Sequence, residues 1–438
     1  MSLSPDQPED LANQQQPLAA PANNAVTPAE SAPFAGAGAP SVPQPAWARP
    51  AVETQWVETE PLEYHQLLRG VARPRWWKPV LGLILGVLYY FTLSTAFSLV
   101  IFGIAGVFEG RALDIDSMLS LAIPDTQRPL SMVMTLGSLA LMIPSALLAM
   151  LSVGLTPAGR LWSVALRIRW RLVRRAILPA IMALFVMNAV GIGLDMLLTT
   201  ATSSPPAAQE PVGFDVSAAL WSVLIILLLV PLQSASEELV FRGAFMQAIG
   251  VWRNRVWFVL LVSIAVPVIA LTLYLTGGLT GLADQGVHVL IVTAVVFGGA
   301  ALLKWRTGSP LIAVALPSVV FAFAHIYEIW GMLSVATLAI VAAWLTWRTG
   351  GLEAAITLHV VNNLVGFLMM AAAYGGETKQ TAEGSTAVTL LAAVLGQVFF
   401  AWWVDRDFRR TDGRRTRIDR VQRMVSMPPA QPNGGVTA

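Results

Sequence analysis

The sequence predicts an all-α, polytopic membrane protein of about ten transmembrane helices, with an active site inside the helical bundle. Hydrophobic residues make up 55% of the chain, charged residues make up only 12%, and the mean hydropathy is +0.63. Soluble domains carry about 25% charged residues, so this composition is typical of an integral membrane protein. Apolar runs close to the ~20 residues that span a bilayer follow one another along the chain.

These apolar runs alternate with connections of contrasting charge. Lysine and arginine are concentrated in every second connection, whereas the others hold only Arg111, Arg128 and Lys379. The positive-inside rule therefore places both termini in the cytoplasm of a multi-pass cell membrane protein. The predicted spans lie near 80–107, 131–153, 177–198, 216–232, 256–275, 288–303, 309–326, 331–346, 354–374 and 387–404. The connections poor in Lys and Arg are 109–130, 199–215, 276–287 and 375–386.

Two tails flank the predicted spans. Residues 1–70 are rich in proline, alanine and carboxylates, a composition that buries too little apolar surface to fold, so we expect a disordered acidic cytoplasmic tail. Residues 405–438 predict a basic cytoplasmic tail. The Arg-rich stretch 160–175 is interleaved with apolar residues, which favours a basic amphipathic loop on the inner leaflet rather than a nucleic-acid site. The remaining predicted regions are N-terminal transmembrane helices (71–215), a catalytic core (216–374) and a last transmembrane helix (375–404).

Few residue types are available for chemistry. The chain has no cysteine, which excludes disulfides, thiolate nucleophiles and thiolate-bound metals. It has only four histidines, so an imidazole base or ligand has few candidates. They are His65, His288, His325 and His359.

A glutamate pair follows the apolar run that ends near residue 230. Carboxylates at bilayer depth are costly, so those that persist usually line a cavity and carry function. Glu238 and Arg242 are four residues apart, which places them on one helical face as an ion pair. That pairing leaves Glu237 as an acid without a local partner, which suits a general base acting on water.

Two later apolar segments supply the other polar groups. His359 and Asn363 are four residues apart and project from one helical face, where both are able to donate hydrogen bonds to an oxyanion. His325 ends an apolar run that begins at Phe321, and it is able to complete the base with Glu237 or to bind a metal. Taken singly, a buried histidine more often bonds a neighbouring helix. The full set is harder to attribute to helix packing.

The three motifs together resemble those of the CPBP family, the CAAX-protease and bacteriocin-processing intramembrane endopeptidases. The matching motifs are Glu237-Glu238-x-x-x-Arg242 (continuing to Gly243), Phe321-x-x-x-His325 and His359-x-x-x-Asn363. The resemblance covers residues 216–370. It implies hydrolysis of peptide bonds in membrane-associated proteins or peptides, including prenylated CAAX proteins.

The resemblance also implies a role for each motif residue. Glu237 would activate water with His325 nearby, Glu238 and Arg242 would support the site, and His359 with Asn363 would hold the oxyanion. The family name includes metalloprotease, so zinc held by Glu237, His325 and His359 is a further expectation. The chain has no His-Glu-x-x-His helix, which favours metal-independent chemistry.

The chain departs from the family pattern between the first two motifs. Glu237 and His325 are 88 positions apart, and the excess length predicts a two-span insertion near 256–303. The charge-based topology places His325 toward the outer end of its span, whereas the family is thought to open to the cytoplasm. A re-entrant or short helix would reconcile these two expectations.

Two other classes of function stay open. One is a proton-coupled transporter or channel in which the buried Glu, Arg and His form a relay. Transporters often show internal repeats with broken helices, and this sequence shows none. The other is a catalytically silent family member that acts as a scaffold or an immunity factor. Eroded motifs would be expected there, whereas every motif position is intact, which favours the enzyme.

Overall fold

A computed structural model of the chain describes residues 52–110, 114–202, 213–251, 310–325, 327–381, 384–411 and 413–426. The part between Val52 and Ser426 forms one compact unit. The predicted spans near 256–275 and 288–303, the insertion that they form, and His288 lie outside the described residues.

Most of the described residues are helical. The helices are α1 (Lys78–Glu109), α2 (Ile115–Leu121), α3 (Pro129–Ala140), α4 (Met142–Ser152), α5 (Trp170–Thr202), α6 (Val216–Glu238), α7 (Met246–Gly250), α8 (Leu311–Phe323), α9 (Ile329–Thr349), α10 (Glu353–Ala371) and α11 (Ala387–Thr411). A π-helix (Leu239–Phe245) joins α6 to α7, and short 3-10 helices lie at Tyr64–Gly70, Ala158–Leu161 and Tyr374–Gly376. The strands are β1 (Val52–Glu58), β2 (Leu62–Glu63), β3 (Thr416–Arg417) and β4 (Arg420–Ser426).

Seven helical segments within the described residues are long and apolar enough to cross a membrane. Each coincides with one of the predicted spans, which confirms the all-α membrane class. The chain is an integral membrane protein. The seven segments are Lys78–Phe108, Pro129–Ser152, Trp170–Leu198, Val216–Gly250, Ile329–Thr349, Glu353–Ala371 and Ala387–Thr411.

Helix α8 differs from its predicted span near 309–326. It contains 13 residues, which corresponds to about 20 Å, whereas the hydrocarbon core is about 30 Å thick. The helix ends at Phe323, and α9 begins separately at Ile329. The short helix therefore ends two residues before His325, whose side chain is partly buried.

Helix α10 lies at the centre of the described bundle. It packs against α5, α6 and α9, while α3 packs against α6 and α8 packs against α9. The helix core is apolar and contains fully buried residues such as Ile226, Phe321 and Ala354. The contact between α6 and α10 brings the glutamate pair next to His359.

The two ends of the described chain form a terminal cap, consisting of the four strands and the 3-10 helix Tyr64–Gly70. Strand β1 pairs antiparallel with β4, from Val52 opposite Ser426 to Glu58 opposite Arg420. Strand β2 pairs with β3. Both ends of the transmembrane unit are thereby brought to the same face of the bundle.

The expectation of a disordered tail to residue 70 is wrong for residues 52–70. Tyr64, Leu67 and Leu68 are buried and pack into the same core cluster as Leu161 and Ile249. The Tyr64 hydroxyl donates to the Leu161 carbonyl oxygen, and burial raises the pKa of Tyr64 well above its usual range. These three side chains bury apolar surface in the core of the protein, which the overall composition of the tail does not predict. The predicted basic tail at 405–438 likewise begins with the end of α11 and then strands β3 and β4.

The expectation of an amphipathic loop over 160–175 is also wrong for two of its arginines. Arg160 is buried and donates to Asp419 at 2.6 Å and to the Leu67 carbonyl oxygen at 3.0 Å. Arg169 forms an ion pair with Glu353 at 2.8 Å. Carboxylates from distant parts of the chain therefore draw these two arginines into the protein, away from lipid headgroups.

Gly250 fixes the contact between α7 and the terminal cap. Its carbonyl oxygen accepts a hydrogen bond from Arg69 Nε at 3.0 Å. A methyl group at this position would overlap the carbonyl oxygen of His65.

We therefore expect Gly250→Ala to lower the free energy of unfolding by about 1–3 kcal/mol, the usual cost of overpacking. Gly103→Ala is the matched control, because a methyl group in that part of α1 meets no other atom within 4 Å and alanine favours a helix. Thermal unfolding in detergent measures both variants. Equal melting temperatures for the two variants would contradict the close approach.

Candidate active site

The glutamate pair forms the end of α6. Glu237 and Glu238 are its last two residues, and the chain then continues as the π-helix Leu239–Phe245. Segments of π-helix inside longer helices are frequent at functional sites. Glu237 is 6% exposed, and Glu238 and Arg242 are fully buried. The carboxylates predicted to lie in the bundle are therefore inside it.

Glu238 is the centre of a buried charged cluster. Its Oε1 lies 3.1 Å from Arg242 Nη1, so the ion pair predicted from the spacing is present. The same oxygen lies 2.8 Å from His359 Nδ1. An ionised carboxylate only accepts, so His359 Nδ1 is the donor in this contact. The Arg242 guanidinium also stacks over the Phe321 ring, 4.2 Å from its centroid.

Glu237 has a different environment from its neighbour. Its Oε1 accepts a hydrogen bond from Gln233 Nε2 at 2.7 Å. Its Oε2 lies 3.5 Å from His359 Nε2 and makes no hydrogen bond to the part of the chain that the structure describes. One oxygen thus orients the carboxylate, and the other faces the imidazole.

His359 connects the two glutamates. Its Nδ1 faces Glu238 and its Nε2 faces Glu237. The ring of His359 is nearly perpendicular to the ring of Phe321, and the two centroids are 5.8 Å apart. The sequence predicts His359 as an oxyanion donor paired with Asn363. In this arrangement Nε2 alone is directed toward Glu237 and the cavity.

Asn363 and His325 complete the set. Asn363 Nδ2 donates to Gln233 Oε1 at 3.2 Å and makes a longer contact of 3.5 Å with Ser234 Oγ. His325 Nδ1 lies 2.8 Å from the Phe321 carbonyl oxygen. A carbonyl only accepts, so Nδ1 carries the proton and Nε2 is left for other partners.

A cavity of about 370 Å³ brings these side chains together. Glu237, His325, His359 and Asn363 all contribute to its wall. Glu238 and Arg242 lie behind this wall as the buried support of His359. The six residues singled out from the three motifs therefore form one site, four at the surface of the cavity and two beneath it.

Zinc bound by Glu237, His325 and His359 stays a prediction. No group of three or more His, Cys, Asp or Glu residues in the described part of the chain is arranged to hold a metal ion. His359 Nδ1 and His325 Nδ1 are both occupied by protein acceptors. Imidazole also binds zinc through Nε2, so these contacts leave the predicted ligand set open.

Sequence reasoning missed three residues of the site. Gln233 precedes Glu237 by four residues on the same helix. This spacing alone predicts that the two side chains lie on one helical face and are able to form a hydrogen bond. Tyr327 and Gln380 lie in connections between helices and bond to each other at 2.6 Å. No local pattern marks these two residues, because they approach the cavity only through the tertiary fold.

The fold and the site define a class of protein, an integral membrane protein with a buried Glu, His and Arg cluster beside a cavity. Residues 295–365 match the family model Rce1-like, described as type II CAAX prenyl endopeptidase Rce1-like. This confirms the resemblance to the CAAX-protease family in this segment of the chain. The matched segment includes His325, His359 and Asn363 but not Glu237. No curated protein and no solved structure matched the chain.

We expect Arg242→Met to destabilise the protein by about 3–5 kcal/mol, because it leaves the Glu238 carboxylate buried without its cation. Arg242→Met combined with Glu238→Gln should recover part of that loss. The matched control is Arg420→Met, which removes an exposed ion pair with Glu58 and should cost at most about 1 kcal/mol. Chemical unfolding in detergent measures all three. Equal losses for Arg242→Met and Arg420→Met would contradict the buried pair.

Proposed function

We propose that the chain is an intramembrane endopeptidase in which Glu237 activates a water molecule for attack on a peptide bond. The observation that carries the proposal is the position of Glu237 Oε2. This atom is buried, makes no hydrogen bond to any described residue, and lies 3.5 Å from His359 Nε2. The Gln233 amide holds the other oxygen of the same carboxylate. A carboxylate that is oriented through one oxygen and has no hydrogen-bond partner in the described residues at the other oxygen suits proton abstraction from water.

The reaction follows from this placement. The water oxygen attacks the carbonyl carbon of the scissile peptide bond, and its proton passes to Glu237 Oε2. The tetrahedral intermediate then collapses, the C–N bond breaks, and the proton from Glu237 passes to the leaving nitrogen. No other reactant is required.

Asn363 and His359 are the proposed oxyanion donors. The Asn363 amide lines the cavity, and an oxyanion would replace its 3.5 Å contact with Ser234 Oγ. His359 Nδ1 already donates to Glu238, so Nε2 would donate to the oxyanion from the doubly protonated imidazolium. Donors placed in a water-poor cavity stabilise developing charge more strongly than donors in water do. His325 Nε2 is a further polar group at the cavity wall, next to Glu237 in the proposed site.

Glu238 and Arg242 are positioning residues in this proposal. Their charges compensate each other, and Glu238 holds His359 through Nδ1. That contact fixes which ring nitrogen faces Glu237. A carboxylate behind an imidazole orients the ring in many hydrolytic sites.

The proposed substrates are membrane-associated peptides or proteins. The cavity lies within a bundle of apolar helices, so a substrate has to reach it at the level of the bilayer. The matching family model describes a prenyl endopeptidase, so a prenylated CAAX peptide is the first substrate to assay.

We expect Glu237→Gln to lower turnover at least 100-fold, because an amide does not take the proton from water. The matched control is Glu377→Gln, an exposed glutamate outside the cavity. An internally quenched prenylated CAAX peptide in proteoliposomes, assayed beside its unprenylated form, measures turnover. Unchanged turnover in Glu237→Gln, with normal insertion of the protein, would eliminate the assigned base.

We expect turnover to survive incubation with a strong chelator, because the proposed reaction uses the carboxylate and the amide donors alone. The same peptide assay, run without chelator and after incubation with it, measures the turnover in both conditions. Loss of turnover that zinc restores would overturn the metal-independent mechanism while leaving Glu237 at the site.

A further inference from the structure

Tyr327 lies in the wall of the catalytic cavity but belongs to none of the three motifs. It is in the connection between α8 and α9, two residues after His325. Its ring stacks on the His325 imidazole, with the two centroids 6.0 Å apart and an angle of 20° between the planes. The ring of Phe321 contacts the same imidazole at a centroid distance of 4.7 Å. Tyr327 therefore belongs to the aromatic surroundings of the second motif.

The hydroxyl of Tyr327 accepts one hydrogen bond and keeps its own hydrogen for a further partner. Gln380 Nε2 donates to this hydroxyl oxygen at 2.6 Å. An amide N–H only donates, so the phenolic oxygen is the acceptor in this contact. The hydroxyl donates to no residue that the structure describes. Because Gln380 also lines the cavity, the hydroxyl hydrogen is available to a molecule bound there.

Backbone hydrogen bonds hold Gln380 in place. Its N–H donates to the Pro124 carbonyl oxygen at 3.0 Å, and Thr126 N–H donates to the Thr378 carbonyl oxygen at 2.8 Å. The connection before α3 is thereby paired with the connection before α11. The side chain that orients the Tyr327 hydroxyl therefore comes from a backbone that is itself fixed.

The first turn of α9 approaches Tyr327 closely. Gly331 lies in that turn, and a methyl group added to it would come 2.8 Å from Tyr327 Cβ and 2.9 Å from Ser385 Oγ. Carbon atoms in contact are normally about 3.5–4.0 Å apart, so a side chain at position 331 would displace the tyrosine. Glycine at this position thus allows α9 to pack against Tyr327.

A neutral hydrogen-bond donor complements the donors already proposed for the oxyanion. His359 Nδ1 donates to Glu238, so its Nε2 donates only from the imidazolium. A phenol donates without any change of charge. Burial raises the pKa of the Tyr327 hydroxyl above its usual range, so this group stays protonated near neutral pH. Tyrosine hydroxyls are among the side-chain groups that form oxyanion holes.

We propose that Tyr327 is a further catalytic residue, whose hydroxyl donates a hydrogen bond to the oxyanion of the tetrahedral intermediate, and that Gln380 positions this hydroxyl. The proposal rests on the endopeptidase function proposed above and adds a donor from outside the three motifs. Tyr327 keeps its proton throughout the reaction. It stabilises the negative charge that develops on the carbonyl oxygen, while the proton of the attacking water passes to Glu237.

Tyr327→Phe removes the hydroxyl and retains the ring that stacks on His325. We expect kcat for the peptide substrate to fall about 100-fold, the usual loss for one oxyanion donor, and KM to change by less than about threefold. The matched control is Tyr374→Phe, which alters an exposed tyrosine outside the cavity and should leave kcat unchanged. A kcat for Tyr327→Phe within about twofold of the unaltered protein, with normal insertion, would overturn the proposal.

Inhibitor binding separates an oxyanion donor from a tyrosine that only shapes the cavity. A peptide aldehyde, whose hydrate resembles the tetrahedral intermediate, should bind about 100-fold more weakly to Tyr327→Phe, in step with kcat. A peptide with a reduced, uncleavable bond has no carbonyl oxygen at that point and should bind both proteins within about threefold. Equal weakening of both ligands would contradict the role of Tyr327 as an oxyanion donor.

Gln380→Leu tests the positioning role. This variant should lower kcat about tenfold, and the double variant with Tyr327→Phe should match Tyr327→Phe alone, because Gln380 acts through the hydroxyl. Losses of kcat that multiply in the double variant would show that Gln380 acts independently of Tyr327, against the proposal.

The same assays distinguish this proposal from the proposed function. Normal turnover in Tyr327→Phe beside an inactive Glu237→Gln would overturn the role of the tyrosine and leave the base in place. If the unaltered protein cleaves neither the prenylated nor the unprenylated peptide, the endopeptidase proposal itself fails, and the role of Tyr327 falls with it.

Discussion

The hydrogen bond between His359 Nδ1 and Glu238 Oε1 is the contact on which the site depends. It measures 2.8 Å, is buried, and joins α10 to α6 across 121 positions of sequence. Because Glu238 is also paired with Arg242, the carboxylate remains compensated after it leaves water. The ring is thereby held with Nε2 toward Glu237. One buried interaction thus links helix packing to the geometry proposed for water activation.

Helix length provides the second constraint. Helix α8 contains 13 residues and ends two positions before His325. Ala324 and His325 follow the end of this helix, and both contribute to the wall of the cavity. The end of α8 therefore fixes where the second motif meets the site.

Much of this architecture could be predicted from the sequence, because lipid demands long apolar helices. The six motif residues follow from helical spacing and from the cost of buried charge. The terminal cap could not be predicted, since Tyr64 and Leu67 become core residues only through strand pairing with residues 416–426. The burial of Arg160 depends on Asp419, which is 259 positions away. Local patterns do not encode such long-range partners, and the same holds for Tyr327 and Gln380.

The coupling between Glu238 and His359 tests the central claim most directly. Glu238→Gln, His359→Asn and the double variant form a cycle whose unfolding free energies are measured in detergent, with intact insertion verified for each. The account predicts a coupling free energy of about 1.5–3 kcal/mol, the range for a hydrogen bond to a charged group. Losses that add within about 0.5 kcal/mol would show two independent side chains. That result would contradict the arrangement described for the site.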